Sequence, residues 1–327
     1  MLNLKYLFDN KDLATMLLGN WDFDESSLEL FKYFRISSNA VYPFKHNEKV
    51  HFLRFAPTSE KSMSNLMAEH DFINFLGEKQ YPALKYVASK NARDIEVIKT
   101  PWGDYYASVF QRVPGNSLEE VDFTSEISRL YGQHLGLLHK LSTQYIPMTH
   151  AHWTFEDVLI WIESTLIPFE QEALAKKELL LVKEGLALLS KSQNTFGLIH
   201  YDFELDNVFY DAKDRLMSVI DFDDSMYGWF VMDIERALDS IENEIGGDCL
   251  PDLKASFITG YRDEFAVEQE MLSHMPLFKR FANLYSYTRV IHCTAETWAN
   301  EPQWMVQLRN KLNYIMTIRS KDFGQQL

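Results

Sequence analysis

Two short stretches of this 327-residue sequence gather residue types that do chemistry. The first reads Ile199-His200-Tyr201-Asp202-Phe203-Glu204-Leu205-Asp206-Asn207 and the second Val219-Ile220-Asp221-Phe222-Asp223. Each follows an apolar pair, Leu198-Ile199 and Val219-Ile220, of the kind that ends a buried strand, so Asp202, Asn207 and Asp221 leave the core together. An aspartate, an asparagine five residues on and an aspartate after the next strand supply one base and two oxygen ligands. Hard cations such as Mg²⁺ take oxygen ligands and often use only one or two carboxylates together with substrate phosphates. A carboxylate that accepts a hydroxyl proton beside a cation held by Asn and Asp is an arrangement suited to phosphoryl transfer. Asp223 stands ready to aid a second metal. Each of these residues alone is an ordinary turn former. The joint pattern His-x-Asp-x4-Asn, then an apolar strand, then Asp-Phe-Asp, is what favours catalysis. Asp221-Phe222-Asp223 is also an Asp-x-Asp metal motif, as in nucleotide-sugar glycosyltransferases, but that reading leaves His200-Tyr201-Asp202 unexplained.

The elements that must position these residues fall into two groups. Residues up to about 35 read as helical, with Leu13, Met16, Leu17, Leu28, Leu30 and Phe31 spaced for one apolar face. Residues 50–55 read as a strand and 66–76 as a helix burying Phe72, Phe75 and Leu76. Residues 95–98 and 105–113 read as strands around the Pro101-Trp102-Gly103-Asp104 turn. Beyond Pro114-Gly115, helix dominates: residues 127–141, then 155–190 with a break at Pro168, and from 232 to the end. The strands of 198–222 interrupt it. The expectation is an α+β protein in two lobes: residues 1–113, β-rich and carrying a helical extension over 1–34, and helix-rich residues 114–327. The join near residue 114 is the natural ligand cleft.

Composition narrows the function classes. Lys and Arg number 32 against 47 Asp and Glu, a net charge of −15, which argues against nucleic-acid binding. Hydrophobic residues make up 46% of the chain, enough to offset chain entropy and exclude general disorder. Cys249 and Cys293 cannot build a disulfide framework or a thiolate zinc site, which fits a reducing, cytoplasmic setting. No secretory leader and no membrane span is expected.

The sequence resembles the aminoglycoside phosphotransferase and choline kinase group of small-molecule kinases. That group's catalytic stretch reads His-Gly-Asp-Phe/Leu-His-x-x-Asn and its metal strand Ile-Asp-Phe-Asp/Glu; residues 220–223 match the second, and residues 200–207 match the first except that Tyr201 stands for its Gly and Glu204 for its second His. The resemblance implies a two-lobed protein-kinase-like fold, ATP and Mg²⁺ as cofactors, and a small-molecule hydroxyl as phosphate acceptor. It makes Asp202 the base, Asn207 and Asp221 the metal ligands, and Asp233 a buried structural residue. Ser37-Ser38-Asn39 resembles the nucleotide loop without its glycines, so backbone N–H and hydroxyl donors must serve. Arg54 stands for the phosphate-contacting Lys, with Glu69 as its helix partner. Residues 110–118, including Gln111 and Val113, resemble the hinge that holds adenine. Tyr201, in place of the usual Gly, would narrow the cleft. A kinase-shaped protein without catalysis is the other reading, and the intact Asp202, Asn207 and Asp221 argue against it.

Remaining signals are weaker. Glu204, Asp206 and Asp224 favour an acceptor bearing an amine or quaternary ammonium, of aminoglycoside, choline or amino-alcohol type. Trp229, Tyr285, Tyr287, Trp298 and Trp304 read as helix packing, some of them available to face a cation. His139 reads as packing, and His150 and His152 as solvated loop residues.

Overall fold

The computed structural model describes residues 1–326. Strands β1 (Arg35–Ile36), β2 (Ala40–His46), β3 (Lys49–Pro57), β4 (Tyr86–Val87), β5 (Ile95–Thr100) and β6 (Gly103–Gln111) form an antiparallel sheet. Its order is β1-β2-β3-β6-β4, with β5 also on β6. Alternation decides its two faces. Leu53 and Phe55 of β3 join Tyr42, Phe44 and Val109 in a core closed by Leu13, Leu17, Trp21 and Phe31. Phe52 and Arg54 point the other way, into the interlobe cleft. Helix α1 (Lys11–Leu18) and a 3-10 helix over Glu25–Tyr33 supply the covering layer, so the helical extension expected to residue 35 is shorter and partly 3-10. Strand β2 was hidden in the sequence by Pro43. The proline is tolerated because β1 pairs only with Ala40 and Val41, leaving Pro43 on a free edge.

Helix α2 (Met63–Glu78) begins at Ser62, whose side chain accepts from the Asn65 N–H. It is shared between lobes. Glu69 faces Arg54, while Phe72, Ile73 and Leu76 enter the core of the larger lobe.

That lobe contains α3 (Ser125–Ser142), α4 (Phe155–Leu166), α5 (Ala173–Ala187), α6 (Phe230–Ser240), α7 (Leu250–Glu264), α8 (Gln269–Ser273), α9 (Met275–Thr294) and α10 (Gln303–Arg319). Helices α3 and α7 pack backbone to backbone. A Cβ on Gly132 would lie 2.0 Å from the Phe257 carbonyl oxygen, and one on Gly260 1.9 Å from that of Arg129, so only glycine fits. Among the described residues no helix is long and apolar enough to cross a membrane.

Two small ribbons carry the loops of residues 200–207 and 220–225. Strands β7 (Asn116–Ser117), β9 (Val208–Asp211) and β10 (Leu216–Val219) form one, in the order β10-β9-β7. Strands β8 (Phe196–Ile199) and β11 (Met226–Trp229) form the other. Ile199 pairs with Met226, and Val208 with Val219. The loop from β8 to β9 and the loop from β10 to β11 therefore leave the ribbons side by side.

One buried acid in this lobe gives a stability test away from the site. Burial lifts the Glu235 carboxyl to about 8, with Asp239 adding to the rise. The native state then keeps a proton that the unfolded chain loses above its ordinary pKa of 4.5. Stability from this group is full below that pH and is lost as pH rises toward 8. Glu235→Gln is expected to melt near wild type at pH 5 and higher by on the order of 5 °C at pH 8. Melting curves at the two pH values check it, and a pH-independent difference would sink it.

Candidate active site

The loop of residues 200–207 is held from behind by one carboxylate. Fully buried Asp233, on α6, accepts from the His200 N–H at 2.8 Å, the Tyr201 N–H at 2.7 Å and His139 Nε2 at 3.0 Å. His139 in turn bonds the Tyr261 hydroxyl at 2.8 Å, so it is a packing and orienting residue. His200 joins the two loops: Nε2 lies 2.9 Å from the Ile220 carbonyl oxygen, and Nδ1 accepts from the Asp202 N–H at 3.2 Å. That pattern assigns a neutral ring with its proton on Nε2, in line with the burial that lowers its pKa. Asp233→Ala would strand two backbone donors and a buried imidazole. It is expected to cost about 3–5 kcal/mol in chemical denaturation. A wild-type unfolding midpoint would remove Asp233 from this role.

Both loops store backbone strain beside the site. Tyr201 has φ +67° and Asp221 φ +62°, the left-handed region that non-glycine residues avoid. The tyrosine does not narrow the cleft: its ring is buried against Phe281 and Tyr285, because the left-handed turn aims it into the larger lobe. Asn207 Nδ2 donates to the Asp202 carbonyl at 3.0 Å and to its Oδ2 at 2.9 Å, which leaves the Asn207 side-chain oxygen for another partner.

Arg54 is buried and bidentate on Glu69, at 2.8 and 2.7 Å, and lies 4.6 Å from the Phe110 ring centroid. Burial alone would lower its pKa, but Glu69, with Tyr86 and Asp223, more than reverses this and locks the charge. Its Nη1 stands 4.0 Å from Asp221 Oδ1. Withdrawal from water, then the Asp223, Asp202 and Glu69 carboxylates, lift Asp221 to about 7 despite Arg54. The side chain is nevertheless 43% exposed to the cleft, so carboxylate crowding is the part of the rise that an arriving cation would relieve. Asp202 is raised too, by burial and then by Asp224.

Four neighbouring acids are already partnered. Asp223, expected to aid a second metal, is gripped by Lys61; burial would raise its pKa, but Lys61 and Arg54 hold it at about 2. A lysine ammonium on a carboxylate takes the place a cation would need, so Asp223 is not a free ligand. Asp224 pairs with Arg289 at 2.6 Å, Asp206 with Arg35 at 3.0 Å and Glu204 with Arg236. The unpaired negative charge that suggested an amine-bearing acceptor is thus balanced by arginines. Asn207 and Asp221 remain, an amide and a carboxylate oxygen. This donor set suits a hard divalent cation that completes its shell with phosphate and water. Among the described residues no cluster of three or more His, Cys, Asp or Glu forms a self-sufficient metal cage.

Ser37, Ser38, Asn39, Arg54, Gln111, Val113, Asp202, Asn207, Asp221 and Asp223 line one interlobe cleft of about 750 Å³, and Glu69 backs Arg54 from behind. Ser37, Ser38 and Asn39 form the turn between β1 and β2 at its roof. Gln111 and Val113 lie at its rear; the Gln111 N–H is committed to the Lys85 carbonyl at 3.0 Å. A second cavity of about 350 Å³ adjoins the cleft at Ser38, Asp223, Asp224 and Arg289. Trp153, Trp161, Tyr285 and Phe222 wall it, together with His152. His152 is therefore not solvated: it packs on Phe72 and Tyr145, its two ring nitrogens are buried without partners, and burial lowers its pKa to about 4. Of the five aromatics noted from the sequence only Tyr285 reaches this cavity, while Trp229 is core. Arg289, Lys61, Trp153 and Trp161 escaped the sequence reading because no local motif surrounds them.

The model of the phosphotransferase enzyme family matches residues 35–267. Amicoumacin kinase of Bacillus subtilis (strain 168) is 24% identical over 299 residues, covering 87% of this chain and 86% of that protein. The structure of amicoumacin kinase hAmiN in complex with AMP-PNP, Ca²⁺ and Ami superposes with a TM-score of 0.78 at 19% identity, covering 98% of this chain and 96% of that one. A microcompartment-associated aminopropanol kinase superposes with a TM-score of 0.69 at 18% identity, covering 96% and 97%. The fold is kinase-like, a small sheet lobe over a helical lobe. With a family model spanning most of its length, this chain belongs to the phosphotransferase enzyme family.

Proposed function

We propose that this phosphotransferase moves the γ-phosphoryl group of ATP to a hydroxyl of a small molecule, in the cytoplasm and with Mg²⁺ as its metal. One observation carries the reading: Asp202, Asn207, Asp221 and the Arg54–Glu69 pair converge on a single cleft between the lobes. Residues 1–113 act as the nucleotide lobe and 114–327 as the catalytic and acceptor lobe. The turn of Ser37, Ser38 and Asn39 offers donors to the phosphates, and Val113 the backbone contacts for the base. Arg54, held flat by Glu69, forks onto phosphate oxygens, a task its guanidinium performs better than an ammonium. Asn207 and Asp221 would hold the Mg²⁺, which when bound neutralises phosphate charge. Asp202 accepts the acceptor hydroxyl's hydrogen bond and takes its proton as the new bond forms.

The aromatic-walled second cavity is the place for the non-reacting part of the acceptor. Amine recognition there works through ring faces, each worth about 0.5–2 kcal/mol, because Asp223, Asp224 and Glu69 at its edge are held by Lys61, Arg289 and Arg54. The amicoumacin and aminopropanol kinases among its relatives point to a hydroxylated amine. The test is ADP formation with amicoumacin, 1-amino-2-propanol and ethanolamine, alongside ³¹P detection of the phosphorylated product. Equal ADP and phosphate ester, dependent on Mg²⁺, is the expected result. Failure of ATP to bind in the presence of Mg²⁺ would end the proposal.

A further inference from the structure

Helix α9 enters the site without any motif to announce it. From it Arg289 reaches across the cleft: Nη1 donates to Asp224 at 2.6 Å, and Nη2 to the Ser38 hydroxyl, in the nucleotide-side turn, at 2.8 Å. The guanidinium lies 5.3 Å from the Tyr285 ring centroid and lines both cavities, at the place where they meet. It is close enough to Asp202 for each to favour the other's charged form. Arg54 gives both terminal nitrogens to Glu69, and Lys61 is gripped by Asp223. Arg289 differs, with one terminal nitrogen on a carboxylate and the other on a neutral hydroxyl. A hydrogen bond to an ionised oxygen is roughly twice as strong as one to a neutral oxygen. A phosphoryl oxygen arriving beneath the Ser38 turn therefore displaces the hydroxyl from Nη2, while Asp224 keeps Nη1 and fixes the guanidinium plane.

We propose that Arg289 is a catalytic residue whose Nη2 donates to the phosphoryl group in flight from the acceptor side, facing Arg54 across the cleft. The inference rests on the phosphotransfer reading above. In the step, the bond between the γ-phosphorus and the bridging oxygen breaks and its electron pair leaves on ADP. The acceptor oxygen forms the new bond to phosphorus, and the hydroxyl proton passes to Asp202. Arg289 keeps its protons throughout. In a loose transition state the charge spreads over three equatorial oxygens, so a donor on the acceptor side strengthens as the group moves toward it.

The experiment needs no acceptor. ADP with Mg²⁺ is titrated by calorimetry, with and without aluminium fluoride as a mimic of the phosphoryl group in flight. Wild type is expected to bind ADP more tightly when fluoride is present. Arg289→Gln and Arg289→Lys are expected to keep ADP affinity within about twofold and to lose about 10- to 100-fold of the fluoride gain. The lysine variant retains a cation for Asp224, so it covers the case in which the glutamine variant does not fold. A folded variant with the full fluoride gain overturns the proposal, as does a wild type that binds ADP yet gains nothing from fluoride. A wild type that binds no ADP overturns the phosphotransfer reading itself, and the absent ADP signal tells the two failures apart.

Discussion

Asp202→Asn is expected to lower turnover by about 10²–10⁴-fold while Mg·ATP affinity stays within about twofold. The substitution keeps size and shape, and a rotated amide still offers an oxygen to Asn207 Nδ2, which donates to Asp202 at 2.9 Å. The loop is anchored through His200, Tyr201 and Asp233 rather than through the Asp202 side chain. What disappears is a carboxylate that can orient the acceptor hydroxyl and take its proton. Phosphoryl transfer depends more on positioning and charge than on base strength, so the loss falls on the chemical step and not on nucleotide binding. Single-turnover kinetics with an identified acceptor, beside a nucleotide titration of the same preparation, make the measurement. Wild-type turnover would reduce Asp202 to a turn residue and undo the mechanism.

Asp221→Asn is expected to separate stability from function in the opposite sense. Asparagine tolerates the left-handed backbone at φ +62° better than alanine does, so the variant tests the charge and not the turn. Removing a carboxylate from among Asp202, Asp223 and Glu69 relieves like-charge repulsion, so the nucleotide-free variant is expected to melt no lower than wild type. Turnover should fall by about 10³-fold or more, since metal neutralisation of phosphate charge is worth several kcal/mol. ATP affinity should then be nearly the same with Mg²⁺ as with a chelator, whereas wild type is expected to bind more tightly with Mg²⁺. Calorimetry showing the wild-type Mg²⁺ dependence in the variant would remove Asp221 from the ligand set.

The site is built largely from paired charges. Four carboxylates crowd the junction of the cavities, and two of them, Asp223 and Asp224, are neutralised within the protein by Lys61 and Arg289. Asp221 and Asp202 are left without such a grip, Asp221 facing Arg54 only at 4.0 Å. The unneutralised pair are the groups assigned to cation and substrate, and the neutralised pair form the wall between the chambers.

The loop of residues 200–207, the strand end at 219–223 and the Arg54–Glu69 pair were legible in the sequence, because each is encoded locally. A buried apolar dipeptide ends in a polar loop, and a strand is followed by one helix, so Arg54 and Glu69 meet across a separation of only 15 residues. The two-lobed α+β plan was legible for the same reason, since period-2 and period-3.6 patterns are local properties. Strand β2 and the 3-10 helix of residues 25–33 were not, because pairing along a free edge and a tertiary covering role overrode local propensity. Which charges neutralise which depends on long-range packing. Lys61 finds Asp223 across 162 residues and Arg289 finds Ser38 across 251, contacts that exist because the turn before α2 reaches the loop after β10 and α9 reaches the turn between β1 and β2. The tertiary structure also buried His152 and turned Tyr201 inward, since burial depends on what packs from elsewhere in the chain and a left-handed turn redirects a side chain whatever its type.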